Sequence, residues 1–194
     1  MSCKLRGFEE VDPWEFNPEV FKNIGKDYFE IVVGNENDKT ANAMTAAWGG
    51  MGVMWNYPVM FTVVRGKDYR ASRPILDEQP LFSVCFLDDD QNEAKIQLGR
   101  THGWDDPHKI ETAGLHTGWF GTELEHNAEA GIGRHVHTPF IEESKVVLIC
   151  EKIATQELEL ANFLDPEILE KHYTKEDGHC LYISRIHSVF VKRA

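Results

Sequence analysis

The residues whose types best suit contact with a flat ligand lie in one segment, NAMTAAWGGMGVMWNYP at positions 42–58. Its small side chains let the backbone approach such a ligand closely, so that N–H and C=O groups can contact the ligand's edge. Asn42 and Thr45 add polar side chains, and Trp48 and Trp55 add polarisable surface. A tightly packed strand with glycine bends has the same composition. The residues alone leave both interpretations open.

A second segment, RGKDYRASR at positions 65–73, is locally positive. It contains four basic residues and one acidic residue, whereas the whole chain has a formal net charge of −12. Arg65 ends an apolar stretch, and a guanidinium group there can bind a phosphate at two points. A solvated turn with a few basic side chains is the alternative.

A third segment, LGRTHGWDDPHK at positions 98–109, combines a glycine-containing turn with hydrogen-bond donors. Arg100, Thr101 and His102 can donate to an anion, and Lys109 can reach the same point from a following helix. A loop that caps two helices has much the same composition, so both interpretations stay open here as well.

Two histidines, His135 and His137, favour a metal site as a separate hypothesis. They fall on one face of a predicted strand, and imidazole is a common zinc ligand. The side chains that can complete such a site are His116, His126, Glu123, Glu125 and Glu129. Because no spacing fixes a third ligand, we predict that the pair is incidental and that the protein uses no metal. A metal-dependent enzyme remains the alternative.

No familiar catalytic motif is present in the sequence. The chain lacks the G-x-S-x-G nucleophile elbow, the G-x-G-x-x-G dinucleotide fingerprint and the G-x-x-x-x-G-K-[ST] phosphate loop. A Rossmann or P-loop nucleotide site is therefore disfavoured, and no side chain is marked as a catalytic acid, base or nucleophile.

Length, charge and cysteine usage bound the class of protein. The 194 residues suit a single domain over positions 1–194, with 20 basic against 32 acidic residues. This excess of negative charge repels nucleic acid and anionic lipid, so we predict neither as a partner. The four cysteines form no C-x-x-C pair and no apolar leader is visible, which favours reduced thiols and a cytoplasmic location.

Apolar runs of strand length, rich in β-branched and aromatic residues, predict a mainly β fold. The runs are Tyr28–Val33, Val59–Val64, Leu81–Leu87, Lys145–Ile153 and Leu181–Val191. The first four have too little polar alternation for a sheet with one solvated face, so we expect closure into a barrel.

A few short helices are expected to decorate this barrel. They are predicted at positions 18–27, at Asp88–Leu98, at Asp106–Ala113 and from Asp165 onward, where Asp165 is the cap and the next residue is proline. The glycine- and histidine-rich segment Gly118–His137 is predicted to be a loop or a hairpin.

Taken in order, these segments resemble the flavin reductase-like family with the FMN-binding split β-barrel, in particular its flavoredoxin-type branch. Positions 42–58 match the branch's pattern N-x-M-T-x-x-W-G-G-x-G-x-x-W-x-x-P. Positions 65–70 lie where the family has R-P-x-R-Y-T, and positions 99–109 lie where it has G-S-x-S-G-R-D-x-D-K. Weaker similarities occur at Leu81–Phe86, Asn162–Glu167 and Tyr182–Ile186. The resemblance extends from about Phe16 to Lys192.

The resemblance implies a homodimer with FMN bound in a groove near the subunit interface. It implies contacts to the ring and ribityl chain from Asn42, Thr45, Ala46, Ala47 and Trp48, contacts to the phosphate from Arg65, Thr101, His102 and Lys109, and ring surroundings that include Trp55, Phe163 and Tyr182.

The chain departs from the family pattern around the implied phosphate site. Gly66 replaces a proline, Arg70 replaces a threonine, and His102 and Trp104 stand where the family has serine and arginine. Arg70 and His102 can supply hydrogen-bond donors in place of the lost hydroxyl.

The activity implied by the resemblance is that of an oxidoreductase, with NAD(P)H as the electron donor to bound FMN and an unknown acceptor. The alternative is a binding protein in place of an enzyme: a flavoredoxin-type electron carrier, which receives electrons from a redox protein partner.

Overall fold

The computed structural model describes residues 5–35, 37, 39–66, 69–124, 134–173 and 178–193. Within them, the strands are β1 (Phe8–Val11), β2 (Phe29–Asn35), β3 (Thr40–Ala46), β4 (Gly49–Met54), β5 (Tyr57–Arg65), β6 (Leu81–Phe86), β7 (Thr117–Leu124), β8 (Arg134–Ile141), β9 (Val146–Glu157) and β10 (His179–Lys192). The α-helices are α1 (Val20–Gly25), α2 (Ser72–Glu78), α3 (Asn92–Arg100), α4 (Lys109–Thr112) and α5 (Pro166–His172).

Eight of these strands form one antiparallel sheet in the order β3-β2-β6-β9-β10-β5-β4, with β1 paired to the far end of β10. The long strand β10 pairs with β9 over most of its length and with β5 over His179–Arg185. Strands β7 and β8 form a separate hairpin that packs on β2 and β6. The prediction of a mainly β fold with short helices is confirmed.

The central strands are buried on both faces, which explains their lack of polar alternation. In β2, Ile31 and Val33 belong to the apolar core inside the barrel. Val32, which points the other way, belongs to a second core with Leu98 of α3 and Phe140 of β8. The sheet therefore separates a barrel interior from an outer layer made by α3, α4 and the β7–β8 hairpin.

Several predicted elements differ in their bounds. The segment Gly118–His137 covers most of β7 and the first half of β8, which continues to Ile141, and residues 125–133 lie outside the described residues. The helix predicted over Asp106–Ala113 is shorter, because the Asp106 carboxylate accepts a hydrogen bond from the His108 N–H in a turn (2.9 Å) before α4 begins. The Asp165 cap is confirmed, since its carboxylate accepts from the Glu167 N–H at 2.9 Å.

Strand β1 and helix α2 were not predicted. α2 begins inside the basic segment, directly after Ala71, and buries Leu76 and Arg73. The segment is rich in basic side chains, so its sequence does not predict a helix. The helix instead makes its buried contacts with residues that are distant along the chain. None of the described helices combines the length and the apolar character that crossing a membrane requires.

Candidate functional site

Two adjacent grooves lie on either side of a ridge formed by Thr45, Ala46 and Ala47. The first groove, of about 220 Å³, is lined by Met44, Thr45, Ala46, Ala47, Trp48, Val63, Arg65, Arg70 and His179. The second groove, of about 600 Å³, is lined by Lys26, Asp27, Tyr28, Thr45, Ala46, Ala47, Asn92, Lys95, Ile96, Gly99 and Arg100.

The ridge is held in place by contacts on both faces of β3. Met44 is buried in the barrel interior, and Ala46 packs against the same core. Thr45 faces α3, where its hydroxyl donates to the Lys95 carbonyl at 2.6 Å. A Cβ added to Gly99 would lie 3.3 Å from the Thr45 Cβ, so glycine lets α3 approach the ridge closely. The small residues of the sequence motif therefore serve both packing and the open surface of the ridge.

Two guanidinium groups line one end of the first groove. Arg65 is the last residue of β5, where it pairs in register with His179, and its Nη2 donates to the His172 carbonyl at 3.0 Å. Its guanidinium also lies 5.6 Å from the centre of the Tyr173 ring. Burial lowers the pKa of Arg70, and the charge of Arg65 lowers it further. Two like charges near each other in a groove favour the binding of an anion, which relieves their repulsion.

Lys109 lies behind this cationic end and does not line either groove. It is 2% exposed, and its Nζ donates to the carbonyls of Leu98 at 2.9 Å and Thr101 at 2.6 Å. Burial, followed by the charge of Arg70, lowers the pKa of Lys109 to about 8. Its ammonium group therefore adds positive potential near Arg70 while fixing the turn that follows α3.

Asn42 and the loop after α3 lie close together. The Asn42 Nδ2 donates to the Ser72 hydroxyl at 2.6 Å, and Gly103 passes so close to the Asn42 Oδ1 that a side chain at position 103 would clash with it. Thr101 and His102 are half-buried in this loop, and the His102 ring stacks on Trp104 with a centroid distance of 5.9 Å. These residues lie beside the grooves and do not line them.

An aromatic cluster borders the first groove. The Trp48 ring lies 5.1 Å from the rings of both His172 and His179. Tyr173 extends the cluster from His179, at 5.4 Å, to Phe163, at 5.1 Å. Phe163 is therefore linked to the groove only through other rings and itself lines a separate surface groove.

Two further predicted residues lie outside both grooves. Tyr182 is fully buried in the barrel interior, where its hydroxyl donates to the Asp77 carboxylate at 2.5 Å. Trp55 is half-exposed in the two-residue turn between β4 and β5, in which Trp55 and Asn56 both have positive φ. A turn of this kind joins two antiparallel strands tightly.

The structure supports no metal site among the residues it describes, where His, Cys, Asp and Glu form no suitable group of three. His116 instead pairs with Glu143, at 2.6 Å between its Nδ1 and Oε1. His126, Glu125 and Glu129 lie outside the described residues, as does the side chain of His135.

Comparisons with known proteins identify the architecture. No protein-family model and no curated protein sequence matches the chain. Solved structures do match: an FMN-binding domain of a flavin reductase-like enzyme from Shewanella baltica has a TM-score of 0.59 at 14% identity, over 95% of this chain and 77% of that chain. The chain has the FMN-binding split-barrel fold. The resemblance found in the sequence is thereby confirmed at the level of the fold.

Two other split barrels show the range of proteins built on this fold. Flavoredoxin from Methanosarcina acetivorans matches with a TM-score of 0.58 at 15% identity, over 92% of this chain and 75% of that chain. An NADH:FAD oxidoreductase from Streptomyces globisporus matches with a TM-score of 0.52 at 16% identity, over 84% of this chain and 73% of that chain. Because one fold hosts different activities, the function must come from the site.

Several groove residues of this split barrel were not singled out as site residues from the sequence. The sequence motifs give Arg70 only as a substitute hydrogen-bond donor, and they imply no site role for Val63 or His179. Their position follows from the register between β5 and β10, which pairs Arg65 with His179. The second groove depends on the packing of α3 against β3, a contact between segments about 50 residues apart that carries no local sequence signal.

Proposed function

We propose that this protein binds FMN along the Thr45–Ala47 ridge. The phosphate would lie in the first groove against Arg65 and Arg70, and the ring would extend over the ridge into the larger second groove. The observation that carries this proposal is that the guanidinium groups of Arg65 and Arg70 line the same groove, where the charge of Arg65 lowers the pKa of Arg70. A phosphate dianion matches that pair in charge and in hydrogen-bonding geometry.

The remaining features of the ridge suit a flat ring. Ala46 and Ala47 leave the backbone accessible, and the second groove adds the apolar side chain of Ile96 and the ring of Tyr28, both half-exposed. Lys95 and Asn92 add polar groups at its wall. Predominantly apolar surface with a few polar groups is typical of cofactor sites.

Bound FMN would supply hydride and electron transfer, since the flavin ring performs that chemistry itself. The chain would contribute orientation of the ring, positive charge at the phosphate and exclusion of water by Trp48 and its neighbouring rings. We propose no side-chain acid or base for the transfer.

We propose that NAD(P)H reduces the flavin directly. The second candidate is a flavoredoxin-type carrier, which a redox protein partner would reduce. The fold is similar both to an NADH:FAD oxidoreductase and to a flavoredoxin, which supports considering both candidates. Stopped-flow mixing of the FMN-loaded protein with NADH and with NADPH separates the two. Rapid loss of flavin absorbance is expected for the reductase, and its absence with both nucleotides would favour the carrier.

We also propose that the protein is a cytoplasmic homodimer. The described cysteines Cys85, Cys150 and Cys180 are buried and unbridged, which suits a reducing compartment. The β4–β5 hairpin presents exposed apolar side chains at Val53, Trp55 and Tyr57, as a subunit interface requires.

The visible absorption spectrum tests FMN binding directly. Protein mixed with excess FMN and then separated from free ligand by gel filtration is expected to retain two flavin bands, with one flavin per chain. The same treatment with FAD and riboflavin serves as the comparison. Equal retention of all three flavins would contradict a dedicated terminal-phosphate site.

A further inference from the structure

Glu30 is a fully buried acid directly beneath the ridge. It lies in β2 with an exposed fraction of 0%, and neither of its carboxylate oxygens has a hydrogen-bond partner among the described residues. Glu30 pairs in register with Thr45 of β3 on one side and with Cys85 of β6 on the other. A buried polar group without a partner is costly, so its retention calls for an explanation.

Lys95 is the charged neighbour of this carboxyl. It belongs to α3, is 3% exposed and lines the second groove, where its Nζ donates to the Asp27 carbonyl at 3.3 Å. The Lys95 charge favours the ionised form of Glu30, but burial outweighs it and raises the pKa of Glu30 to about 8. At neutral pH Glu30 is therefore mostly protonated.

The other groups around Glu30 compensate a negative charge less than Lys95 does. The Thr45 hydroxyl, from β3, lowers the pKa of Glu30 by less than the Lys95 charge. The Cys85 thiol, from β6, has a pKa raised to about 11, chiefly by burial, and is neutral at the same pH. The Asp27 carboxylate, from the loop before β2, lies 4.0 Å from Lys22. Among the described residues, Lys95 is thus the cation whose charge favours the ionised form of Glu30.

A neutral Glu30 leaves the positive charge of Lys95 uncancelled at the wall of the second groove. An ionised Glu30 would cancel much of that charge from below. The protonation state of Glu30 therefore decides how strongly the groove attracts a negatively charged ring, since unscreened charges interact strongly when they are partly buried.

We propose that Glu30 is a positioning residue, whose proton keeps the charge of the Lys95 ammonium available to the flavin ring and which, where it is ionised, takes up a proton when the ring becomes negative. This inference rests on the proposed binding of FMN. On reduction, oxidised FMN gains two electrons and one proton, so that the ring becomes more negative by one unit. Above the pKa of Glu30 in the oxidised protein, the Glu30 carboxylate takes up one proton from solvent. Together with the proton on the flavin, two protons then accompany the two electrons.

A ligand-free measurement tests the proton on Glu30. Its folded-state pKa lies above the unfolded value, so the stability that it supports is present at low pH and is lost as the pH rises toward 8. Between pH 5 and pH 7.5 the unfolding equilibrium constant of the wild type is expected to rise about tenfold more per pH unit than that of Glu30→Gln. Glu93→Gln, at an exposed position of α3, the helix that carries Lys95, is the matched control and should behave as the wild type.

The coupling to the flavin is tested by the two-electron midpoint potential of the FMN-loaded protein, titrated with dithionite between pH 7 and pH 10. Wild type and Glu93→Gln are expected to bind an extra proton per two electrons over part of this range, which steepens the slope by up to about 30 mV per pH unit. Glu30→Gln should lack this steep region. Lys95→Met should lower the potential and move the steep region to higher pH, because Lys95 favours the ionised form of Glu30, and it provides the second variant if Glu30→Gln fails to fold.

The possible outcomes are distinguishable. Identical pH dependence of stability in wild type and Glu30→Gln would overturn the assignment of a proton to Glu30, whatever the flavin does. Normal FMN binding with identical potential slopes would overturn the coupling alone. Absence of FMN binding in the wild type would overturn both this inference and the proposed function.

Discussion

At the scale of single residues, position in the sequence motif and role in the structure diverge most at Lys109. The resemblance implies that Lys109 contacts a phosphate together with Arg65. In the fold, its ammonium group is engaged by two backbone carbonyls, while Arg70 lines the groove beside Arg65. A cation that is bound and buried can still contribute potential to the groove, but it also supports the turn after α3.

Replacing Lys109 with methionine is therefore expected to reduce stability. The variant loses two charge-assisted hydrogen bonds and leaves the carbonyls of Leu98 and Thr101 without that donor, a cost of about 1.5–3 kcal/mol. A Lys109 side chain that contacted only the phosphate would instead leave the stability of the ligand-free protein unchanged. Urea denaturation of the ligand-free variant measures the loss.

The control for this prediction is Lys22→Met, whose side chain is largely exposed. It should change the free energy of unfolding by at most about 0.5 kcal/mol. Unchanged stability of Lys109→Met, together with weakened FMN binding, would instead support a direct phosphate contact.

At the scale of elements, apolar runs predicted the central strands well because those strands are buried on both faces. Leu81–Phe86 is buried at every position, so no alternation obscures the pattern. The register between paired strands, however, cannot be predicted from either segment alone. His179 reaches the first groove only because β10 pairs with β5.

Tyr182 shows the same limit of sequence-based prediction, because its motif implies a site residue that the fold buries elsewhere. Its motif implies surroundings of the flavin ring, yet β10 points the side chain into the barrel, where its hydroxyl binds Asp77 and the Arg73 guanidinium lies 5.6 Å from its ring centre. Asp77 also accepts from the Arg73 Nε at 3.1 Å, so the three groups form a network between α2 and β10.

Tyr182→Phe is expected to destabilise the protein without affecting the ligand. Loss of the buried hydroxyl removes one hydrogen bond from the Asp77 carboxylate, which costs about 1–3 kcal/mol. Chemical denaturation measures this cost, and fluorescence titration should give an FMN dissociation constant within about twofold of wild type, a difference well below 1 kcal/mol. A large loss of FMN affinity at unchanged stability would restore Tyr182 to the cofactor site.

At the scale of the whole molecule, a formal net charge of −12 surrounds a locally cationic groove. Long-range repulsion disfavours the approach of anionic ligands, so their binding depends on the local field of Arg65 and Arg70. The apolar hairpin formed by β4 and β5 is the other feature at this scale, because a monomer would leave Val53 62% exposed and Trp55 51% exposed.

We expect Val53→Glu to weaken the proposed dimer. A carboxylate at the centre of an apolar interface must be desolvated, which costs several kcal/mol unless it finds a partner. Sedimentation velocity should show a shift toward monomer for Val53→Glu. Leu164→Glu, at a fully exposed apolar position outside the hairpin, is the control and should sediment as the wild type. A wild type that is itself monomeric would refute the dimer.

The most direct test of FMN binding at the ridge is the affinity for FMN relative to riboflavin, measured by fluorescence titration in the wild type, Arg65→Met and Arg70→Met. Riboflavin has the same ring but no phosphate, so the ratio isolates the contribution of the cationic groove. Each charge-assisted contact contributes about 1.5–3 kcal/mol, which is roughly ten- to hundredfold in the dissociation constant. Each variant is expected to lose FMN affinity by about this factor while its riboflavin affinity stays nearly constant. Equal affinities of the wild type for the two flavins, or unchanged FMN affinity in both variants, would contradict FMN binding at the ridge.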